Sequence, residues 1–236
     1  MAQINKPSDY FTAFLRAGVY AASGTTDFNI GFKPDLVWDK NRTSTSNHDL
    51  IDSVRGGGIN LNTNDTSADG TGANVTSFLS NGFQITNFND WGSGNNIVDW
   101  CWKAGGTASS NTDGSITSSV SANTTSGFSI VSYTGTGSNA TVGHGLGVAP
   151  KMIIVKVISA SGNYWPIYHQ AMGNTNYIFL NVTNATASTA NTWNDTSPTN
   201  SVFHLGTDGD TNTNGATLIA YCFAEKQGYS KFGSYT

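Results

Sequence analysis

The sequence predicts an all-β protein made of two tandem antiparallel β-sandwich modules, of jelly-roll or lectin-like kind, related by internal duplication. Three observations predict it: a composition that disfavours helix, short apolar runs that alternate with a period of two, and a set of motifs that occurs twice in the same order. The chain has 236 residues, of which 37 % are hydrophobic but only 11 % charged, against about 25 % charged in an ordinary soluble domain. Ser, Thr, Asn and Gly fill the difference, and Glu225 is the single glutamate among 15 acidic residues. Thr, Val, Ile and aromatic residues suit strands, and Gly, Asn and Asp suit turns, so little helix is expected.

Alternation between turn clusters places the strands of the first module at residues 11–16, 27–30, 36–40, 50–54, 59–61, 75–79, 83–85 and 97–103. Those of the second fall at 128–133, 141–142, 152–157, 165–169, 177–181, 192–194, 202–205 and 217–224. Pro34 and Pro150 stand just before strands, where a missing N–H costs the ladder nothing. In 97–103, Val98, Trp100 and Trp102 share one face, and Asp99, Cys101 and Lys103 the other. The strand at 217–224 puts Ile219, Tyr221 and Phe223 on the matching face, and this aromatic stripe reads as sandwich core.

The repeat rests on landmarks in constant order. GFKPDLVWDK at 31–40 matches GLGVAPKMIIVK at 145–156, NGFQI at 81–85 matches SVFHL at 201–205, and IVDWCWKAGG at 97–106 matches LIAYCFAEKQG at 218–228. The modules therefore span 1–106 and 127–236. Residues 107–126, nearly all Ser, Thr, Asn, Gly and Ala, read as a linker, or as an edge strand through GSITSSVSA. A third element, GFSIVSYTG at 127–135, recurs as GYSKFGSYT at 228–236 and, worn, as DYFTAFLRAG at 9–18. The C-terminus thus either completes the second module or begins a third repeat. Cys101 and Cys222 occupy matching positions of different modules, which predicts two buried free thiols.

Composition also excludes function classes. Net charge is −4 and the 11 Lys and Arg residues are scattered, unlike the basic stripe a nucleic acid requires. No apolar run reaches the roughly 18 residues of a membrane-spanning helix. Residues 1–10 are polar and lack the apolar core of a signal peptide, so synthesis in the producer's cytoplasm is expected. A surface rich in hydroxyls and amides nonetheless suits exposure outside cells, a pairing that fits a virion component made inside and released by lysis.

Catalytic constellations are lacking in the sequence, and the prediction is a non-enzyme. One glutamate cannot supply the usual carboxylate pair of a glycosidase. His48, His144, His169 and His204 show no metal-binding spacing, and no GxSxG occurs. Gly56–Gly58 lacks the GK[ST] and following helix of a phosphate loop. The charges at 40–56 (Lys40, Arg42, Asp52 and Arg55) read as pairs between adjacent strands. Asp208, Asp210, Asn212 and Asn214 alternate oxygen-bearing side chains as calcium ligands would, although Thr213 replaces the glycine of such loops and a polar hairpin loop is the simpler reading. The Asn-x-Ser/Thr triplets are attributed to chance in a chain rich in both. The candidate functional atoms are loop aromatics beside amides, which would stack on a sugar face: Trp91, Tyr164, Trp165, Tyr168 and Trp193.

The motifs GFKPDLVWDKNR, HDLIDSVRG, SFLSNGFQI, IVDWCWKAGG, ATVGHGLGVAPKMIIVK and YCFAEKQGYSKFGSYT together resemble a repeat module of structural and tail-fibre-like proteins of marine tailed bacteriophages. The resemblance runs from about Tyr10 to Thr236. It implies a virion protein with concanavalin-like sandwich domains and brings no catalytic residue with it. Asp39 departs from the pattern, standing where such modules carry an apolar residue, and the strand end at 15–18 departs as well. The expected function is a tail fibre or fibre-like appendage that attaches to the host surface. It would be located on the virion, contact other virion proteins and a host glycan, and form a homo-oligomer, trimeric if a fibre. A capsid decoration protein and a free carbohydrate-binding lectin are the alternatives.

Overall fold

The computed structural model describes residues 3–19, 24–86 and 92–235. The first half holds β1 (Phe11–Ala17), β2 (Thr25–Asn29), β3 (Leu36–Asn41), β4 (His48–Asp52), β5 (Ile59–Asn62), β6 (Gly70–Thr71), β7 (Val75–Leu79), β8 (Gly82–Thr86) and β9 (Asn96–Trp102). The second holds β10 (Ser109–Asn111), β11 (Ser118–Asn123), β12 (Phe128–Thr134), β13 (Ala140–Gly143), β14 (Met152–Val157), β15 (Pro166–His169), β16 (Asn176–Phe179), β17 (Ala187–Ser188), β18 (Val202–Leu205) and β19 (Thr217–Phe223). Two single-turn helices, α1 (Ala190–Trp193) and α2 (Gly209–Asn212), flank β18.

The strands build four antiparallel sheets. A six-stranded sheet runs β1-β9-β3-β4-β5-β6 and an eight-stranded sheet runs β10-β11-β12-β19-β14-β15-β16-β17. A three-stranded sheet, β2-β8-β7, and a two-stranded sheet, β13-β18, accompany them. Without β10 and β11, the eight-stranded sheet follows the same path through the chain as the six-stranded one. The registers agree as well: Val37 lies opposite Cys101 between β3 and β9, and Ile153 opposite Cys222 between β14 and β19.

Three apolar clusters separate four layers. Val37, Ile51, Val75, Phe83, Ile85 and Cys101 fill the space between the six- and three-stranded sheets. Val131, Tyr133, Val155, Phe203, Leu205, Ala220 and Cys222 do the same between the eight- and two-stranded sheets. The third cluster joins the halves, with Leu36, Leu50 and Leu61 of the large first sheet meeting Phe128, Ile130, Ile154, Ile219 and Tyr221 of the large second one. Each large sheet is thus covered on both faces, which is why strands such as β14 read as nearly continuous apolar runs.

Two expectations change, and two segments left open by the sequence take a definite form. The stripe of Trp102, Ile219, Tyr221 and Phe223 lies in the seam between the large sheets, whereas the cysteine face fills each sandwich core. Residues 192–194, expected as a strand, close α1 instead: the Thr189 hydroxyl accepts from the Asn191 N–H as an N-cap, and Asn194 takes the left-handed conformation at φ 50°. Residues 107–126 contain β10 and β11, which extend the eight-stranded sheet beyond β12. Residues 228–235 form no strand, and a single bridge ties Lys226 to Ser230. Gly105, where the chain crosses between halves, has a reason to be glycine: a Cβ there would sit 2.4 Å from the Ala122 carbonyl oxygen.

Candidate functional site

The seam holds a cavity of about 290 Å³. Trp38, Trp102, Phe128, Trp165, Tyr221 and Phe223 supply its aromatic wall, with Tyr229 and Phe232 of the C-terminal segment at its rim. The rings interlock, with Phe128 and Phe223 centroids 4.9 Å apart and Phe11 and Trp102 also 4.9 Å apart. Three polar atoms in this wall are engaged. Tyr221 Oη donates to Asp52 Oδ2 at 2.8 Å, Trp38 Nε1 to Thr63 Oγ1 at 3.1 Å, and Trp165 Nε1 to the Asp65 carbonyl at 3.1 Å. Burial, and then the Asp52 carboxylate, push the Tyr221 hydroxyl well above its ordinary range, so it stays neutral. The cavity offers shape and a largely apolar surface.

Beside it, the segment at 65–69 from the first half clamps onto the second. The Thr66 carbonyl accepts from Lys156 Nζ and from the Gly162 N–H, and the Asp65 carbonyl also accepts from Asn181 Nδ2. The Asp69 N–H donates to the Ile158 carbonyl. Lys156 is buried and donates further to the Asn163 carbonyl at 2.6 Å. Burial lowers its ammonium to about 8 against the opposing pull of Asp210 and Asp65.

The candidate sugar contacts do not form one surface. Trp165 is fully buried in the seam, where its indole anchors the 65–69 segment. Tyr168 and Trp193 are buried in the second sandwich core, their rings T-shaped at 5.9 Å, because the capped turn of α1 directs Trp193 inward. These three expectations of exposed aromatics are corrected: none presents a face on which a sugar could stack. Trp91 lies outside the described residues. Tyr164 is the exception, 40 % exposed and stacked on Phe179 at 4.7 Å.

Three of the four candidate calcium ligands, Asp208, Asp210 and Asn212, hold internal hydrogen bonds. Asp208 caps α2, its Oδ1 accepting from the Asp210 N–H while Oδ2 accepts from Thr192 Oγ1. Asp210 Oδ1 accepts from the Tyr164 N–H. Asn212 is fully buried and donates to the Ser138 and Gly206 carbonyls, and Asn214 is exposed. Among the described residues, no three His, Cys, Asp or Glu side chains group as metal donors.

Of the charges at 40–56, Asp52 and Arg55 pair at 2.6 Å, while Lys40 donates to the Ser44 and Ser46 carbonyls. Sequence reasoning missed a second charged group. Arg16 Nε donates to Asp99 Oδ2 at 2.7 Å and Nη2 reaches Asp99 Oδ1 at 3.2 Å and Asp39 Oδ2 at 3.4 Å, all buried inside the first sandwich. Asp39 and Asp99 face each other across β3 and β9, at the register point where Val155 faces Ala220 in the second half. Burial and the Asp99 charge raise the Asp39 carboxyl well above the usual range. The signal lay in the repeat: two aspartates stand where the matching strands carry an apolar pair.

A family model described as Domain of unknown function (DUF7483) matches residues 6–236. No curated protein and no solved structure matches the chain.

Proposed function

The chain belongs to the DUF7483 family, and we propose that this member is a non-catalytic structural protein of a bacteriophage virion, a tail fibre or fibre-like appendage that contacts the host surface. In this reading the two large sheets are copies of one duplicated module, and the protein is a homo-oligomeric building block among other virion proteins. The observation that carries the reading is the seam: two sheets of the same strand path are fused through one apolar layer. The seam packs Trp38, Trp102 and Trp165 and the sandwich cores pack Trp193 and both cysteines, which leaves the loops as the outward surface. The resemblance of its motifs to tail-fibre-like repeats supports the particle assignment. Immuno-electron microscopy of purified particles tests it: labelling at tail appendages is expected, labelling over the capsid would favour a decoration protein, and unlabelled particles would overturn both. One observation favours a secondary glycan contact, the exposed Tyr164 ring. A glycan array on which wild type and Tyr164→Ala behave alike would remove it.

A further inference from the structure

The four ends of the two large sheets are unequal. Three close on strands of two or three residues, β6, β17 and β10, whose shortness guards against edge-to-edge pairing. The fourth, β1, has seven residues and pairs, among the described residues, only with β9. Its counterpart in the strand path, β12, is covered along its outer side by β11. Among the described residues no device blunts β1: FTAFLRA contains no proline and no lysine, its seven pairs with β9 run without a bulge, and its one charge, Arg16, turns into the core.

Backbone parity fixes what this edge presents. The Tyr10 carbonyl accepts from the Lys103 N–H and the Gly18 N–H donates to the Asn95 carbonyl, so even-numbered residues bond to β9. Phe11, Ala13, Leu15 and Ala17 therefore direct their N–H and C=O groups outward. Leu15 is 63 % exposed, one of the few large apolar side chains so placed. We propose that β1 pairs antiparallel with β1 of a second copy of this chain, about a twofold axis at Phe14, joining two six-stranded sheets into one. Ala13 then faces Leu15 of the other copy and Phe11 faces Ala17, so every outward backbone group of the strand meets a partner and Leu15 packs on a small side chain. Self-pairing is favoured because no like charges are brought together and no other large-sheet edge is long enough to match β1.

Sedimentation of the full chain over a dilution series tests the pairing. Wild type is expected as two chains that separate on dilution, with the Ala13 and Leu15 amides protected from hydrogen exchange in the paired form. Ala13→Pro removes an outward N–H and leaves the β9 ladder whole, and Leu15→Lys adds a charge at the edge; each is expected to weaken association by about tenfold or more. A wild type of single-chain or three-chain mass at every concentration would overturn the pairing, as would variants that keep the wild-type mass. Such a result leaves the particle assignment untouched, since microscopy reads that separately.

Discussion

Asp39 is a carboxyl held where its own fold disfavours its charge. Because its proton is bound more tightly in the folded chain than in the unfolded one, its contribution to stability is complete below the ordinary carboxylate range. That contribution is lost as pH rises through the raised value. Asp39→Asn removes the charge yet leaves the two-point Arg16–Asp99 contact in place. The variant is expected to gain about 1 kcal/mol near neutral pH and to flatten the fall in stability as pH rises above the ordinary carboxylate range. Asp99→Asn should do the reverse, costing about 3 kcal/mol by stripping Arg16 of its main partner. Thermal melts of the two variants across that range distinguish them; a loss of stability in Asp39→Asn would show that Arg16 needs both carboxylates. This cluster was half legible. The departure at Asp39 was visible in the repeat, but its meeting with Arg16 depends on which way β1 turns its even-numbered residues.

At the scale of elements, the corner made by α1, β18 and α2 is held by side chains that bond to the backbone. Asn212 alone accepts from the Thr136 N–H and donates to the Ser138 and Gly206 carbonyls. Asn212→Ala leaves three backbone groups without that partner, the Gly206 carbonyl among them buried, and is expected to cost about 2–3 kcal/mol, read as a lower urea midpoint with an unchanged slope. The same residues looked like a calcium loop because both chemistries call for alternating oxygens, and spacing does not tell whether those oxygens face a cation or the chain. Strands were legible where alternation or an apolar run was long, as in β9, β14 and β19. Those of two or three residues, β6, β10 and β17, carry too little period to read. At 192–194 the capping Thr189 outweighed a β-favouring composition.

For the whole molecule, the seam makes the halves one cooperative body. A period of two divides a strand into faces, but it does not say which face meets a second sandwich, so the aromatic stripe and Trp165 were assigned to the wrong neighbours from sequence alone. Calorimetry is expected to show a single transition, lowered in temperature but still single in Trp102→Ala, which removes about 2–4 kcal/mol of seam packing. Two separated transitions in wild type would mean that the seam is weak. The placement of the cysteines has a further consequence. Cys101 lies in the first sandwich core and Cys222 in the second, both fully shielded. Burial lifts Cys101 well above the usual thiol range and Cys222 to about 12, so neither is nucleophilic while its core is closed. The chain therefore carries a built-in timer in each half: the alkylation rate of each thiol clocks the opening of its own sandwich, and equal rates mean that both halves come apart in the same event.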